Sequence, residues 1–271
     1  MKNGFLPCLR GELWKVFHAR ALYVTLAVGF LIQLYNVGCN IGYVQMIYDA
    51  GTRHVDGDTR SLFICWLSAG GNLDYYLFRW LFPLLALIPY GWSCRSEARS
   101  GYRNQMLTRV SKGSYYTAKY IGSFVSGAVV IAVPLGVNLL LNALICPAVV
   151  PPSYSMVIPI HPSDIMYLLF FNHPWLYSLL WLGISTLWGG IIAGLSMFLS
   201  QFMRRNIFIL ILPCIAVYFS SYVMGSWAID DKFLVFGYYV RTYAILFGEM
   251  SVLTALGFCG GLAMFSHQEV L

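Results

Sequence analysis

Long apolar runs separated by short polar segments dominate the sequence. Four uncharged runs exceed the roughly 20 residues that a helix needs to cross the hydrocarbon core of a membrane, and two further runs carry one charge each. The six predicted spans cover residues 21–38, 75–94, 120–146, 175–202, 207–229 and 242–265. We therefore expect an all-α, polytopic membrane protein with a single transmembrane domain over residues 1–271.

The segment before the first span has a different pattern. Residues 5–20 mix aromatic and aliphatic side chains with Arg10, Glu12, Lys15 and Arg20. This mixture favours a short amphipathic helix that lies in the membrane interface. The alternative is a basic leader that only anchors the first span.

Composition and charge narrow the class of protein. Hydrophobic residues make up 59% of the chain and charged residues 10%, whereas soluble domains have about 25% charged residues. A water-soluble globule is therefore excluded, and no room is left for a soluble catalytic domain. With the N-terminus inside, inner segments hold twelve of the 17 Lys and Arg residues. The positive-inside rule then places both termini in the cytoplasm, and the cations need no nucleic acid to explain them.

Catalytic and metal-binding motifs are missing from the sequence. There is no G-x-x-x-x-G-K-[ST], no H-E-x-x-H and no C-x-x-C, and no predicted span contains an Asp. We expect no catalytic, cofactor-binding or metal-ligating residue in this chain, and so not an enzyme. Cys39 and Cys65 could form a disulfide in the first outer loop, but free thiols are the favoured interpretation.

Two ionisable residues lie in or near the predicted spans. Arg79 is close to the outer end of span two, and Glu249 lies in the outer half of span six. Charged groups in hydrocarbon either extend to the interface or pair with each other. An ion pair between Arg79 and Glu249 is therefore one hypothesis, and snorkelling of both side chains is the other.

The spans also contain polar and small residues at helical spacing. Gln33 and Asn36 share one face of span one, and Asn138 and Asn142 lie one turn apart in span three. These side chains fit either packing between helices or a polar stripe along a translocation path. Small residues four apart, which allow close helix packing, occur at Gly190–Gly194 and Gly257–Gly261.

The largest predicted cytoplasmic segment, residues 95–119, contains six Lys and Arg residues. From Glu97 to Leu107 it can form one short helix with Tyr102 and Met106 on the same side. Such a helix could insert an aromatic ring and a thioether into a groove of a partner protein. The alternative is an ordinary basic loop that obeys the positive-inside rule.

Several motifs together resemble the permease subunits of bacterial type-2 ABC exporters. They are Glu12-Leu13-Trp14-Lys15 in the N-terminal helix, the six spans, the Glu-x-x-x-Gly pattern of residues 97–101, the Leu-Thr-Arg of residues 107–109, and the Tyr-x-x-x-Lys of residues 115–119. In the number and order of its spans, the whole chain resembles this family. The sequence motifs that carry the resemblance lie mainly in residues 97–119.

The resemblance implies an ABC-2 architecture of the type V exporter kind. Two six-span permeases, either identical or homologous, would bind separate ATP-binding cassette subunits, which would hold ATP and magnesium. Residues 5–20 would form the elbow helix at the membrane surface, and residues 95–119 would be the coupling segment. The coupling residues implied are Glu97, Gly101, Tyr102, Arg103, Met106 and Leu107.

On this basis we expect a multi-pass permease of the bacterial plasma membrane, surrounded by lipid. Its charge-poor spans suit an amphipathic or hydrophobic substrate. A peptide such as a lantibiotic is the preferred substrate, and a lipid or a drug comes next. The alternative functions are an intramembrane enzyme acting on lipid or peptide, and a membrane scaffold or sensor without transport.

Overall fold

The computed structural model describes residues 4–49, 61–67, 73–150, 162, 165–203, 205–224 and 243–267. Every regular element in these ranges is a helix, which confirms the all-α class. The helices are α1 (Phe5–Phe17), α2 (Arg20–Asp49), α3 (Leu62–Leu67), α4 (Leu73–Leu87), α5 (Ser93–Arg99), α6 (Tyr102–Leu107), α7 (Lys112–Ile145), α8 (Tyr167–Asn172), α9 (Pro174–Leu199), α10 (Asn206–Met224), α11 (Tyr243–Ala255) and α12 (Gly261–His267). A π-helical turn at Leu256–Gly260 joins α11 to α12.

Within the described residues, four helices are long and apolar enough to cross a membrane. They are Arg20–Gly42 of α2, Lys112–Ile145 of α7, Pro174–Leu199 of α9 and Ile245–Ser266 of the continuous α11–α12 helix. These four correspond to predicted spans one, three, four and six. The helices in predicted spans two and five are shorter, at 15 residues for α4 and 13 for the apolar part of α10, Ile207–Phe219. Six spans therefore stay a prediction.

Two helices differ in extent from the predicted spans. The first apolar helix was expected to end at residue 38, but α2 continues to Asp49. One reason is that Asn40 is buried rather than exposed in an outer loop. Span two was expected to reach residue 94, but α4 ends at Leu87 and a turn follows over residues 88–92. Pro89 and Gly91 lie in this turn, and both residue types disfavour a continuing helix.

Helices α7 and α9 pack closely against each other. A Cβ atom on Gly127 would lie 2.4 Å from the Gly189 carbonyl oxygen and 2.5 Å from the Ala193 Cβ. Similarly, a Cβ on Gly190 would lie 2.7 Å from the Phe124 ring, and one on Gly194 2.9 Å from the Tyr120 ring. These glycines allow the two backbones to approach closely, which confirms the packing role predicted for Gly190 and Gly194.

Helix α1 lies against the N-terminal part of α7. It buries Cys8, Glu12 and Val16, while Leu6 and Trp14 are exposed. The helix predicted over residues 5–20 is therefore present over Phe5–Phe17. Its polar side was assigned incorrectly, because Glu12 points into the protein instead of towards water. The exposed apolar side chains suit contact with a membrane surface.

Candidate functional site

The segment between α4 and α7 consists of two short helices rather than one. The single helix predicted from Glu97 to Leu107 is interrupted at Gly101, which has a φ of 75°. Glycine adopts this left-handed backbone without steric penalty. The backbone therefore turns between α5 and α6. We call residues 93–109, which contain these two helices and the two residues after them, the docking segment.

A closed network of four charged side chains holds this segment in place. Helix α1 contributes Glu12 and Lys15, α5 contributes Glu97, and α7 contributes Lys119. The Lys15 Nζ lies 2.8 Å from Oε1 of both Glu12 and Glu97. The Lys119 Nζ lies 2.7 Å from Glu12 Oε2 and 2.7 Å from Glu97 Oε1. We call these four residues the charge network.

Two tyrosine hydroxyls complete the network. The Tyr115 hydroxyl donates to Glu97 Oε2 at 2.7 Å, and the Tyr90 hydroxyl donates to Glu12 Oε2. The Lys119 ammonium in turn donates to the Tyr90 oxygen at 3.1 Å. Side-chain exposure is 1% for Lys119 and 2% for Glu12. Buried charges of this kind are stable only when they are paired and hydrogen-bonded.

The network favours the ionised forms of Glu12 and Lys15. Burial by itself would raise the pKa of Glu12, but the positive charge of Lys119 and the hydrogen bonds it receives outweigh burial, so its pKa lies below the ordinary value. Burial would likewise lower the pKa of Lys15, but hydrogen bonds to Glu12 and Glu97 raise it overall. Two negative and two positive charges therefore balance inside the protein.

The predicted coupling residues lie mostly on the inner side of the docking segment. Lys15 Nζ lies 4.2 Å from the centre of the Tyr102 ring, and the Arg103 guanidinium lies 5.9 Å from that of Phe265. Met106 and Leu107 pack against a buried apolar cluster at the same end of the protein. The exposed residues of segment 95–109 are polar: Ser96, Arg99, Ser100, Asn104, Gln105, Thr108 and Arg109.

The side of α6 that carries Tyr102 and Met106 faces the protein. These two residues were expected to be offered to a partner, and both are partly buried. They lie four apart on α6, as the sequence predicted, but Tyr102 contacts Lys15 and Met106 packs against the apolar cluster. The charge network was not foreseen either, although Glu12 and Lys15 are three apart and Lys119 belongs to the Tyr-x-x-x-Lys motif.

A second polar cluster lies between α2, α4 and α7. The Asn36 side chain donates to Asp74 Oδ2 at 2.6 Å and accepts from Asn138 at 2.9 Å. Asn40 donates to Asn142 Oδ1 at 2.8 Å, and Asn142 donates to Asn138 Oδ1 at 3.0 Å. All five side chains are buried. We call them the amide cluster.

The amide cluster brings together residues that the sequence left apart. Asn36, Asn138 and Asn142 were noted as polar residues of spans one and three, and the structure shows them in contact. Gln33 contributes its backbone carbonyl, which accepts from Asn138 at 3.1 Å. Asp74 was assigned to an outer loop, but it lies in α4 and is 3% exposed. The sequence did not indicate that Asp74 belongs to a polar cluster, because its partner Asn36 comes from another helix.

The two polar clusters are separated by a distance close to the thickness of a bilayer core. Lys119 and Asn138 both lie on α7, 19 residues apart, which corresponds to about 28 Å of helix. No charged residue lies between them on α7. Along α7, the charge network and the amide cluster therefore flank an uncharged stretch about as long as the hydrocarbon core is thick, roughly 30 Å.

The sequence also pointed to Arg79, Glu249 and the cysteines. Arg79 on α4 and Glu249 on α11 are each half-buried, and their pairing stays a prediction. All seven cysteines, including Cys39 and Cys65, are free thiols. Residues 50–60 and 68–72 between predicted spans one and two, residues 151–161, 163 and 164 between spans three and four, and residues 225–242 before span six lie outside the described residues.

No family model matches the chain, and no curated protein matches it significantly.

Proposed function

We propose that the chain is the permease subunit of an ATP-driven ABC exporter of the bacterial plasma membrane. The observation that carries this proposal is the charge network, which joins the docking segment to both α1 and α7. A separate ATP-binding cassette subunit would bind the docking segment and supply ATP hydrolysis. This chain would contribute no ATP or magnesium site.

A mechanical link of this kind needs a rigid connection. Glu97 on α5 is bound to Lys119, which lies at the base of a helix of 34 residues. The same carboxylate is bound to Lys15 on α1. A displacement of the docking segment is therefore transmitted to the long helix and to the surface helix together. A loop held only by solvent-exposed contacts would absorb such a displacement.

The exposed polar side of the docking segment is the surface that we assign to the ATPase. Arg99 and Arg109 are exposed there, together with Asn104 and Gln105. Such side chains form hydrogen bonds and ion pairs with a polar or acidic groove. In this arrangement Tyr102 and Met106 support the segment from the inside, as positioning residues.

The permease would act as a dimer with a second copy or with a homologous chain. The substrate would be amphipathic or hydrophobic, since the α7 and α9 spans have no charged residue between Lys119 and Ile145 or between Pro174 and Leu199. A peptide such as a lantibiotic is favoured over a lipid or a drug. Alternating conformations driven by the ATPase would move it between the two permeases.

The proposal is tested by purifying the tagged full-length chain from its native membranes in mild detergent. We expect an ATP-binding cassette subunit to copurify. The variant Arg99→Glu/Arg109→Glu should reduce its yield at least tenfold by reversing two charges on the docking segment. The matched control Arg10→Glu/Arg20→Glu reverses two exposed charges elsewhere at the cytoplasmic end and should retain the complex.

Three results would contradict the proposal. The first is equal copurification of an ATPase with both double variants, which would reject the docking surface. The second is chemical turnover of a lipid or peptide by the purified chain without ATP, as expected for an intramembrane enzyme. The third is a stable partner complex in vesicles that shows no ATP-dependent flux, as expected for a scaffold or sensor.

A further inference from the structure

Helix α1 presents a face of basic and apolar side chains to its surroundings. Leu6, Trp14 and Phe17 are 72%, 63% and 43% exposed. Arg10 is exposed between them, and Arg20 is exposed where α2 begins. Positions 6, 10, 14 and 17 follow helical spacing, so their side chains share one side of α1. We call these five residues the outer face.

The opposite side of α1 removes the negative charge of this helix from the surface. Glu12 is the one acidic residue of α1, and its side chain is 2% exposed. Lys15 and Lys119 bind its carboxylate at 2.8 Å and 2.7 Å. No carboxylate of α1 is therefore left to neutralise Arg10, and the outer face carries a net positive charge.

The packing of α1 shows where it lies relative to the membrane. A Cβ atom on Gly122 of α7 would lie 3.7 Å from the Val16 side chain, whereas one on Gly29 of α2 would lie 2.9 Å from Pro134, further along α7. Helix α1 therefore packs beside the beginning of α7, and the membrane-crossing stretch of α2, Arg20–Gly42, packs beside a later part. With 13 residues, or about 20 Å, α1 is too short to cross the roughly 30 Å hydrocarbon core. It lies at the boundary between lipid and water, whichever side of the membrane that boundary faces.

This position gives the outer face a definite class of partner. Aromatic rings insert at the level of the lipid headgroups, where an amphipathic helix buries its apolar side chains. Guanidinium groups donate paired hydrogen bonds to phosphate oxygens. A zwitterionic headgroup already carries a compensating ammonium group, whereas an anionic headgroup leaves its phosphate charge to a basic residue of the protein.

Charge complementarity therefore selects the occupant of the outer face. We propose that it binds the headgroups of anionic phospholipids, with Arg10 and Arg20 at the phosphates and Trp14 and Phe17 inserted beside them. A basic residue next to an anionic membrane surface strengthens binding by roughly fivefold. The proposal depends neither on the transport function nor on the side of the membrane to which α1 belongs.

The test measures which lipids surround α1 in the full-length chain. Gly11 is exposed beside Arg10, and a Cβ added there has no atom within 4 Å, so Gly11→Cys can carry a maleimide fluorophore without disturbing the packing. The three cysteines that are not buried, Cys39, Cys214 and Cys259, are replaced by serine.

The labelled protein is reconstituted in phosphatidylcholine vesicles that contain a small and equal amount of either phosphatidylglycerol or phosphatidylcholine with the same nitroxide on its acyl chain. Nitroxides quench nearby fluorophores. The ratio of the two quenching strengths therefore gives the local enrichment of anionic lipid.

We expect phosphatidylglycerol to be enriched about fivefold around this label, and the enrichment to fall at high salt, which screens charges. Arg10→Gln/Arg20→Gln should bring the ratio close to one. The matched variant Arg99→Gln/Arg109→Gln, which removes two exposed charges of the docking segment, should keep the wild-type ratio. Each variant is first checked for a single monodisperse species, and Leu6→Cys provides a second exposed labelling site if Gly11→Cys does not fold.

Three outcomes would overturn the proposal. A ratio close to one in the wild type would show that α1 does not distinguish anionic from zwitterionic lipid. Equal loss of enrichment in both double variants would show a diffuse positive field instead of a site on α1. Absence of quenching by either lipid would show that protein, such as a second copy, covers the outer face. No ATPase is present, so failure of the export proposal would leave these measurements unchanged.

Discussion

The replacement Lys119→Met tests whether the charge network holds α1 and the docking segment on α7. Methionine preserves the length and most of the volume of the lysine side chain but removes its charge. The change leaves Glu12 and Glu97 sharing only Lys15, whose side chain is 30% exposed. The network then carries one uncompensated negative charge in a buried position.

The expected magnitude follows from the burial of the pair. Removing one partner of a buried ion pair destabilises a structure by about 3–5 kcal/mol. Lys15→Met leaves the same charge imbalance, but Lys15 is 30% exposed and solvent screens its charge, so this variant should cost clearly less than Lys119→Met. The double variant Glu12→Gln/Lys119→Met restores the charge balance and should recover most of the loss.

Cys8 provides a local assay of the attachment of α1. It is buried on the side of α1 that faces the protein, so maleimide reacts with it only when α1 detaches. In a variant whose other cysteines are replaced, the labelling rate follows the opening equilibrium. A loss of 3 kcal/mol or more should raise that rate about 100-fold or more, since about 1.4 kcal/mol corresponds to a factor of ten.

The reasoning would be refuted by a particular pattern of rates. Equal acceleration by Lys119→Met and Lys15→Met would show that burial does not set the strength of these contacts. A double variant labelled as fast as, or faster than, Lys119→Met alone would show that Glu12 and Lys119 are not coupled. Unchanged labelling in every variant would show that the network does not hold α1.

Three further predictions concern helix packing, the turn and pH. Gly127→Ala should destabilise the protein by about 1–3 kcal/mol through overpacking against α9, whereas Gly183→Ala, with nothing within 4 Å of its added Cβ, should change the thermal midpoint little. Gly101→Val should be less stable than Gly101→Asn by about 1 kcal/mol or more in the same assay, because a β-branched residue is strained at positive φ. Because folding lowers the pKa of Glu12, its ionised carboxylate stabilises the folded state at pH values above the ordinary pKa of 4.5. This stabilisation is lost as the pH falls through the pKa that Glu12 has in the folded state. Labelling of Cys8, corrected for the pH dependence of the thiol itself, should therefore accelerate below that range in the wild type and less so in Glu12→Gln.

The polar residues form two buried clusters that hold the helices together at opposite ends of α7's uncharged stretch. At the end that carries α1, charged side chains of α1, α5 and α7 pair with one another. At the other end, carboxamides and Asp74 join α2, α4 and α7 by hydrogen bonds. Both clusters satisfy buried polar groups with partners from other helices.

The sequence by itself determined the helical class and the four longest apolar helices. Their length and hydropathy are local properties that need no knowledge of neighbours. The helical character of residues 5–17 was likewise visible. Helix α4 is shorter than predicted span two because a turn with Pro89 and Gly91 follows it, and α10 is described as far as Met224 within predicted span five.

Only the tertiary structure decided which polar residues face inwards. Glu12 looked like part of a solvated helix face, and its burial depends on Lys119, more than one hundred residues away in the chain. Asp74 looked like a loop residue until Asn36 was placed beside it. A charge or an amide can be buried only where a partner from another helix satisfies it, and helical periodicity along one segment carries no information about that partner.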